Sequence, residues 1–132
     1  NRQERFTQQL ASALKKQLPP GTLVSKPKLH GISGHAIEFP LGIVLAQGIR
    51  AVQPIGASEQ HSLDWGYIYQ SYGKLMDLKK ASAKDFGNRI VVIEASAAQD
   101  EIGRASTVLS EAAPVVLYSG PNPMLAEQLL AA

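Results

Sequence analysis

Residues 2 to 18 place Phe6, Leu10, Ala13, Leu14 and Leu18 on one face at helical spacing, with Arg2, Glu4, Arg5, Lys15 and Lys16 largely elsewhere. Pro19, Pro20 and Gly21 stop that helix. A short strand, TLVSK, is expected at 22 to 26, followed by a loop from Pro27 to Gly34. The segment HAIEFPLG alternates in polarity, but Pro40 has no amide to donate to a ladder, which points to an edge strand or a bulge. From Gly42 the run IVLAQGIRAVQPIG reads as two arms turning at Gly48, since glycine reaches positive φ without steric penalty. In that register Ile49, Ala51, Gln53 and Ile55 share one face, and Arg50, Val52 and Pro54 share the other. A slip of one residue would exchange the two faces.

Ser58 is expected to cap a second helix over about residues 59 to 84. Its stripe holds Trp65, Ile68, Tyr69, Tyr72, Leu75 and Met76, leaving Tyr67 outward. After Asn88 and Arg89, IVVIEA is a nearly continuous apolar run, the signature of a strand covered on both faces. Asp100 is placed as the cap of a third helix, with Ile102, Ala105, Leu109 and Ala112 inward. Pro114 leads into VVLYS, read as another buried strand, and Asn122-Pro123 starts the last helix. The order αβββαβαβα predicts one α/β domain over 1–132. Its single mixed sheet of about five strands is a meander followed by a parallel βαβ unit, flanked by about four helices.

The composition agrees with one domain. The 132 residues are 45% hydrophobic and 18% charged, enough for one real core. A net charge of +2 is small for a chain built only to coat phosphates. There is no cysteine, which removes disulfide, thiolate and cysteine-metal chemistry and suits a cytoplasmic location. No apolar run approaches the roughly 20 residues of a membrane span. The start, NRQERFTQQL, is polar and helical rather than a signal peptide. It lacks an initiator methionine, so a longer protein with a further domain is expected. His30, His35 and His61 lack compact metal-ligand spacing, and no Walker A or G-x-G-x-x-G run points to a nucleotide cofactor. The run Gly31-Ile32-Ser33-Gly34 is no hydrolase elbow and reads as a flexible loop.

The order α-β-β-β-α-β over roughly residues 2 to 94, with GIRAVQPIG leading to a long aromatic-rich helix, resembles the restriction-endonuclease-like, or PD-(D/E)XK, superfamily. The likeness is to its degenerate members in phage and mobile-element proteins, which often lie beside a DNA-binding repressor domain. Active members hold Mg²⁺ with an acid on one strand and a Glu-x-Lys set on the next, because metal-assisted hydrolysis needs those charges close together. The resemblance puts Glu38 at the first acid and Gln53-Pro54-Ile55 at the second set. A carboxylate and a lysine are then both missing, which implies no catalytic residue and no cofactor.

The reading that follows is a nonenzymatic regulatory or protein-association domain, acting by dimerisation or sensing in a bacterial or phage protein. Its partner would be another protein or a second copy, met through the first helix or the edge strand near Pro40. Two alternatives lie close to it. One is a Mg²⁺-dependent nuclease using Glu38 and Gln53 with Glu4. The other is a DNA-binding module using Lys74, Lys79, Lys80 and Lys84, with Lys26 and Lys28 nearby, although lysines near a helix C-terminus also answer its dipole. A third option is a ligand-binding domain using the strand ends at Glu94 and Ser119. Glu38 and Glu94 also fit plain solvent-facing carboxylates, and Asp100 and Glu101 fit ordinary first-turn acids.

Overall fold

The computed structural model describes residues 1–83 and 85–131. Helix α1 (Arg2–Lys15) begins where Asn1 Oδ1 accepts the Glu4 amide at 2.8 Å, and it buries Phe6, Leu10 and Leu14. It ends a turn earlier than its apolar spacing suggested, although Leu18 is still buried. Strands β1 (Leu23–Ser25), β2 (Lys28–His30), β3 (Ala36–Glu38), β4 (Leu41–Leu45) and β5 (Gly48–Ile55) follow. Then come α2 (Trp65–Lys80), β6 (Arg89–Glu94), α3 (Gln99–Leu109), β7 (Val115–Tyr118) and α4 (Leu125–Ala131). The fold is α/β, with a mixed five-stranded sheet in the order β1-β4-β5-β6-β7. Strand β4 runs antiparallel to both of its neighbours, β1 and β5, and β5, β6 and β7 are parallel.

The stretch expected as a loop from Pro27 contains β2, and the single strand expected around Pro40 is two strands. Ser25 pairs with Leu41 and Lys28 with Glu38, so two residues separate the ladders on each side and the register runs through unbroken. The intervening bonds are Lys26 N–H to Pro40 O and Phe39 N–H to Pro27 O, both 3.1 Å. One long hairpin is therefore kinked where two prolines withhold their amides and Lys26 takes φ +51°. Pro40 lies at this kink, between β3 of the two-stranded ladder and β4 of the main sheet. The kink also turns the ribbon over: Ile37 and Phe39 pack with α2, whereas Leu41 and Ile43 pack with α1.

Beyond the kink the hairpin is anchored, which corrects the expectation of a flexible Gly31–Gly34 loop. Ser33 donates its amide to Asp77 Oδ1 at 2.9 Å and its hydroxyl to Asp77 Oδ2 at 2.6 Å, and the Ile32 amide reaches Asp77 O. A Cβ on Gly31 would run into the Asp77 carboxylate, so a larger residue there would displace the anchor. The two bonds from Ser33 hold the Asp77 carboxyl below its usual range. The folded value lies below the unfolded one, so this anchor is complete above about pH 4 and is lost as pH falls through the lowered folded value. The Ser33 amide resonance is expected to follow that titration in NMR, with a midpoint below that of a free aspartate; a midpoint at or above it would contradict the anchor.

Two cores sandwich the sheet. On one face α1 and α4 cover Leu41, Ile43, Val52, Ile90 and Val92; on the other α2 and α3 cover Ala51, Ile55, Val91 and Ile93. The alternation predicted for β5 and the two-sided burial predicted for β6 are both present. Arg50 and Arg89 hold the opposite end of the sheet. Arg50 donates from Nε to Gly87 O at 2.5 Å and from Nη1 to Leu129 O and Leu130 O at 2.7 and 2.8 Å, closing the end of α4. Arg89 Nε reaches Ala112 O at 2.5 Å, just past α3.

Several local expectations shift. Ser58 caps no helix: its Oγ accepts the Gln60 and Ser62 amides in a tight turn, and Asp64 caps α2 by accepting the Tyr67 amide at 3.1 Å. Helix α3 begins after Ala98, which makes no side-chain cap, and Asp100 instead pairs with Arg104 at 3.1 Å. Strand β7 is a half-exposed edge rather than a buried strand, with Leu117 49% exposed. Tyr67 and Tyr69 exchange roles. Tyr67 is half-buried against the core and Tyr69 is 61% exposed, because buried Ser71 turns the inward face of α2 toward residue 67.

Candidate functional site

The corner singled out by the resemblance forms where β5 ends against the first turn of α1. The Gln3 side chain spans the gap: Nε2 donates to Pro54 O at 2.7 Å, and Oε1 accepts the Gly56 amide at 2.7 Å. Arg2 Nε donates to Ala57 O at 3.0 Å. Gln53, on the other face of β5, is fully buried. Its Nε2 donates to Pro54 O at 2.9 Å and to the Tyr67 hydroxyl at 2.8 Å, and its Oε1 is a buried acceptor without a partner among the described residues. Burial raises the Tyr67 phenol above its usual pKa, with the Gln53 bond opposing. Ile55 is 1% exposed in the core shared with α2 and α3.

A cleft of about 580 Å³ opens beside this corner. Glu4 and Thr7 of α1, Glu38 of β3, Lys26, Tyr67 and Lys74 line it. The nuclease alternative's Glu4 and Glu38 are thus brought to one cleft, whereas Gln53 lies beneath Tyr67 in the core. Lys74 is half-buried with its ammonium 4.8 Å from the centroid of the Phe39 ring. Burial lowers the Lys74 pKa, and Glu38 partly offsets the shift. Its charge thus lies over the Phe39 ring and within the field of Glu38. At the place of the second carboxylate Gln53 turns donor hydrogens to Pro54 O and the Tyr67 hydroxyl, and at the place of the lysine Ile55 packs in the apolar core. Among the described residues, no three His, Asp or Glu side chains are grouped to hold a metal ion.

The basic residues expected along α2 have different surroundings. Lys74 is in the cleft, Lys79 Nζ donates to Glu111 O at 2.6 Å, and Lys80 is exposed. Lys84 lies outside the described residues.

Glu94 and Ser119 meet at a second hollow, a crevice of about 960 Å³ beyond the carboxyl ends of β6 and β7. Glu94 is already engaged, with Oε1 accepting the Ala57 amide at 2.8 Å and Oε2 3.9 Å from Arg2. It latches the end of β6 to the exit of β5 and to α1. Glu101 similarly accepts the Trp65 indole N–H at 2.9 Å, joining α3 to the start of α2. Sequence reasoning missed the Gln3–Pro54–Gly56 bridge and the Gln53–Tyr67 bond. Each joins residues far apart or on different elements, and a glutamine in a polar helix stretch gives no pattern to detect.

Compared with protein-family models, curated proteins and solved structures, the chain gives no match. No described helix is long and apolar enough to cross a membrane.

Proposed function

We propose that this domain is a nonenzymatic regulatory or protein-association module built on a nuclease-like scaffold. The observation that carries the reading is the state of Gln53. At the position where the resemblance expects a second metal-binding carboxylate stands an amide that is fully buried and spends both bonds of Nε2 on Pro54 O and the Tyr67 hydroxyl. A carboxylate there could not donate to Pro54 O. The core packing of Ile55 supports the same reading, since a lysine at that position would place an ammonium among apolar side chains.

Support for association comes from the two ends of the sheet. Strand β1 covers one edge with three residues and leads into Lys26 and Pro27. Strand β7 forms the other edge. Its four residues, Val115-Val116-Leu117-Tyr118, carry no charge and no proline. Such a strand suits pairing with a strand of a second copy or of a partner. The outward side of α1 is polar and its apolar side is used internally, so β7 takes the place of α1 and the Pro40 segment as the association surface. Sedimentation velocity over a concentration series is expected to show reversible association that Leu117→Lys abolishes. A species that stays monomeric at the highest concentrations would contradict the dimerisation role.

A further inference from the structure

We infer that the crevice beyond the carboxyl ends of β6 and β7 is a binding site for a small organic anion, one with a flat or apolar body and a single carboxylate or phosphate group. The inference goes beyond the association role and stands without it. One wall is a single stripe of α1, in which Arg5, Gln8, Gln9, Ser12 and Lys16 recur at helical spacing with no acid among them. Arg5 and Lys16 lie about 16 Å apart along the helix axis, so they bracket the crevice. The facing wall is the turn from Ser119 to Pro123.

Three features make these walls a built site rather than a surface dent. First, their separation is fixed by Gln17, whose Nε2 donates to Asn122 O at 2.7 Å while its Oε1 accepts the Ala126 amide at 2.9 Å. Second, the crevice's charge is positive. Its lining carries Arg5, Lys16 and Glu94, and Glu94 is already held by the Ala57 amide and Arg2. Third, the facing turn is shaped by its backbone. Gly120 takes φ +121° with nothing within 4 Å of where a Cβ would stand, so conformation, not crowding, selects glycine there.

The floor explains the organic body. Tyr118 lies half-buried against Phe6, with ring centroids 5.8 Å apart, and Ala95, Pro121 and Pro123 add apolar surface around it. The exposed hydroxyls of Ser96 and Ser119 stand at the ends of the two strands and complete the polar set. The arrangement gives a cation for the anionic group, hydroxyls and amides for orientation, and an aromatic surface for the body.

The test is an amide NMR titration of the whole chain with four probes: adenosine monophosphate, benzoate, inorganic phosphate and adenosine. Adenosine monophosphate, benzoate or both are expected to move the Ser96, Tyr118, Ser119 and Gly120 resonances saturably, and more strongly than inorganic phosphate. A response to only one of the two organic anions assigns the phosphate or the carboxylate as the recognised group. The exposed pair Arg5→Glu and Lys16→Glu together is expected to weaken binding at least about tenfold with an unchanged circular dichroism spectrum. Three results would overturn the site: no shift with either organic anion at about 10 mM, adenosine binding as well as adenosine monophosphate, or undiminished binding by the double variant.

Discussion

Gln53→Glu is expected to destabilise the domain by about 3 to 5 kcal/mol, the usual scale for an uncompensated buried charge. The substitution is nearly isosteric, so the loss is electrostatic. The new carboxylate would face the Pro54 carbonyl in place of one of its two donors and sit with no solvent access. Gln53→Leu is expected to cost no more than about 1 kcal/mol, because it also removes an acceptor, Oε1, that has no partner. Pro54 O keeps its bond from Gln3 in that variant. Urea unfolding of the two variants checks the contrast. Equal stabilities would mean that position 53 tolerates a charge and is no core amide.

The second large effect is at Arg50. Its guanidinium is 6% exposed and bonds three carbonyls, Gly87, Leu129 and Leu130, with the Phe86 ring 5.9 Å away. Arg50→Ala strips charge-assisted bonds from the final turn of α4 and opens a cavity beside it, with an expected loss of about 3 kcal/mol or more. Arg50→Lys recovers little, because one ammonium cannot reproduce a planar fork spread over three acceptors. Helix α4 should fray first, and hydrogen exchange of the Leu129 amide reports this directly. Unchanged protection there in Arg50→Ala would show that α4 is held by its apolar face alone.

Much of this architecture was legible in the sequence because its signals are periodic and local. Phe6, Leu10 and Leu14 mark the buried side of α1, and the runs at 49 to 55 and 90 to 93 give two inner strands, the first alternating between its faces and the second covered on both. The errors have physical causes. Strand β2 was hidden because Pro27 looks like a loop residue, whereas here it marks a kink with an unbroken register. The face of α2 was misjudged by one position because its inward side includes Ser71, a small polar residue that adds nothing to an apolar stripe. VVLY looks buried by composition, but whether a strand lies at an edge depends on which strands follow it in space.

The candidate sites were less legible. Gln53 and Ile55 were singled out, but the full burial of Gln53, its bond to Tyr67 and its partnerless oxygen depend on the packing of α2. Glu94 and Ser119 were placed at strand ends, yet the other wall of their crevice is α1, which Gln17 ties to the turn before α4.

The central proposal is that this corner keeps a nuclease-like shape without nuclease chemistry. Its most direct test is a cleavage time course on supercoiled and linear DNA with the purified domain in Mg²⁺ and in Mn²⁺. The account predicts intact DNA for both the wild type and Glu38→Ala; metal-dependent cleavage by the wild type that Glu38→Ala abolishes would contradict it.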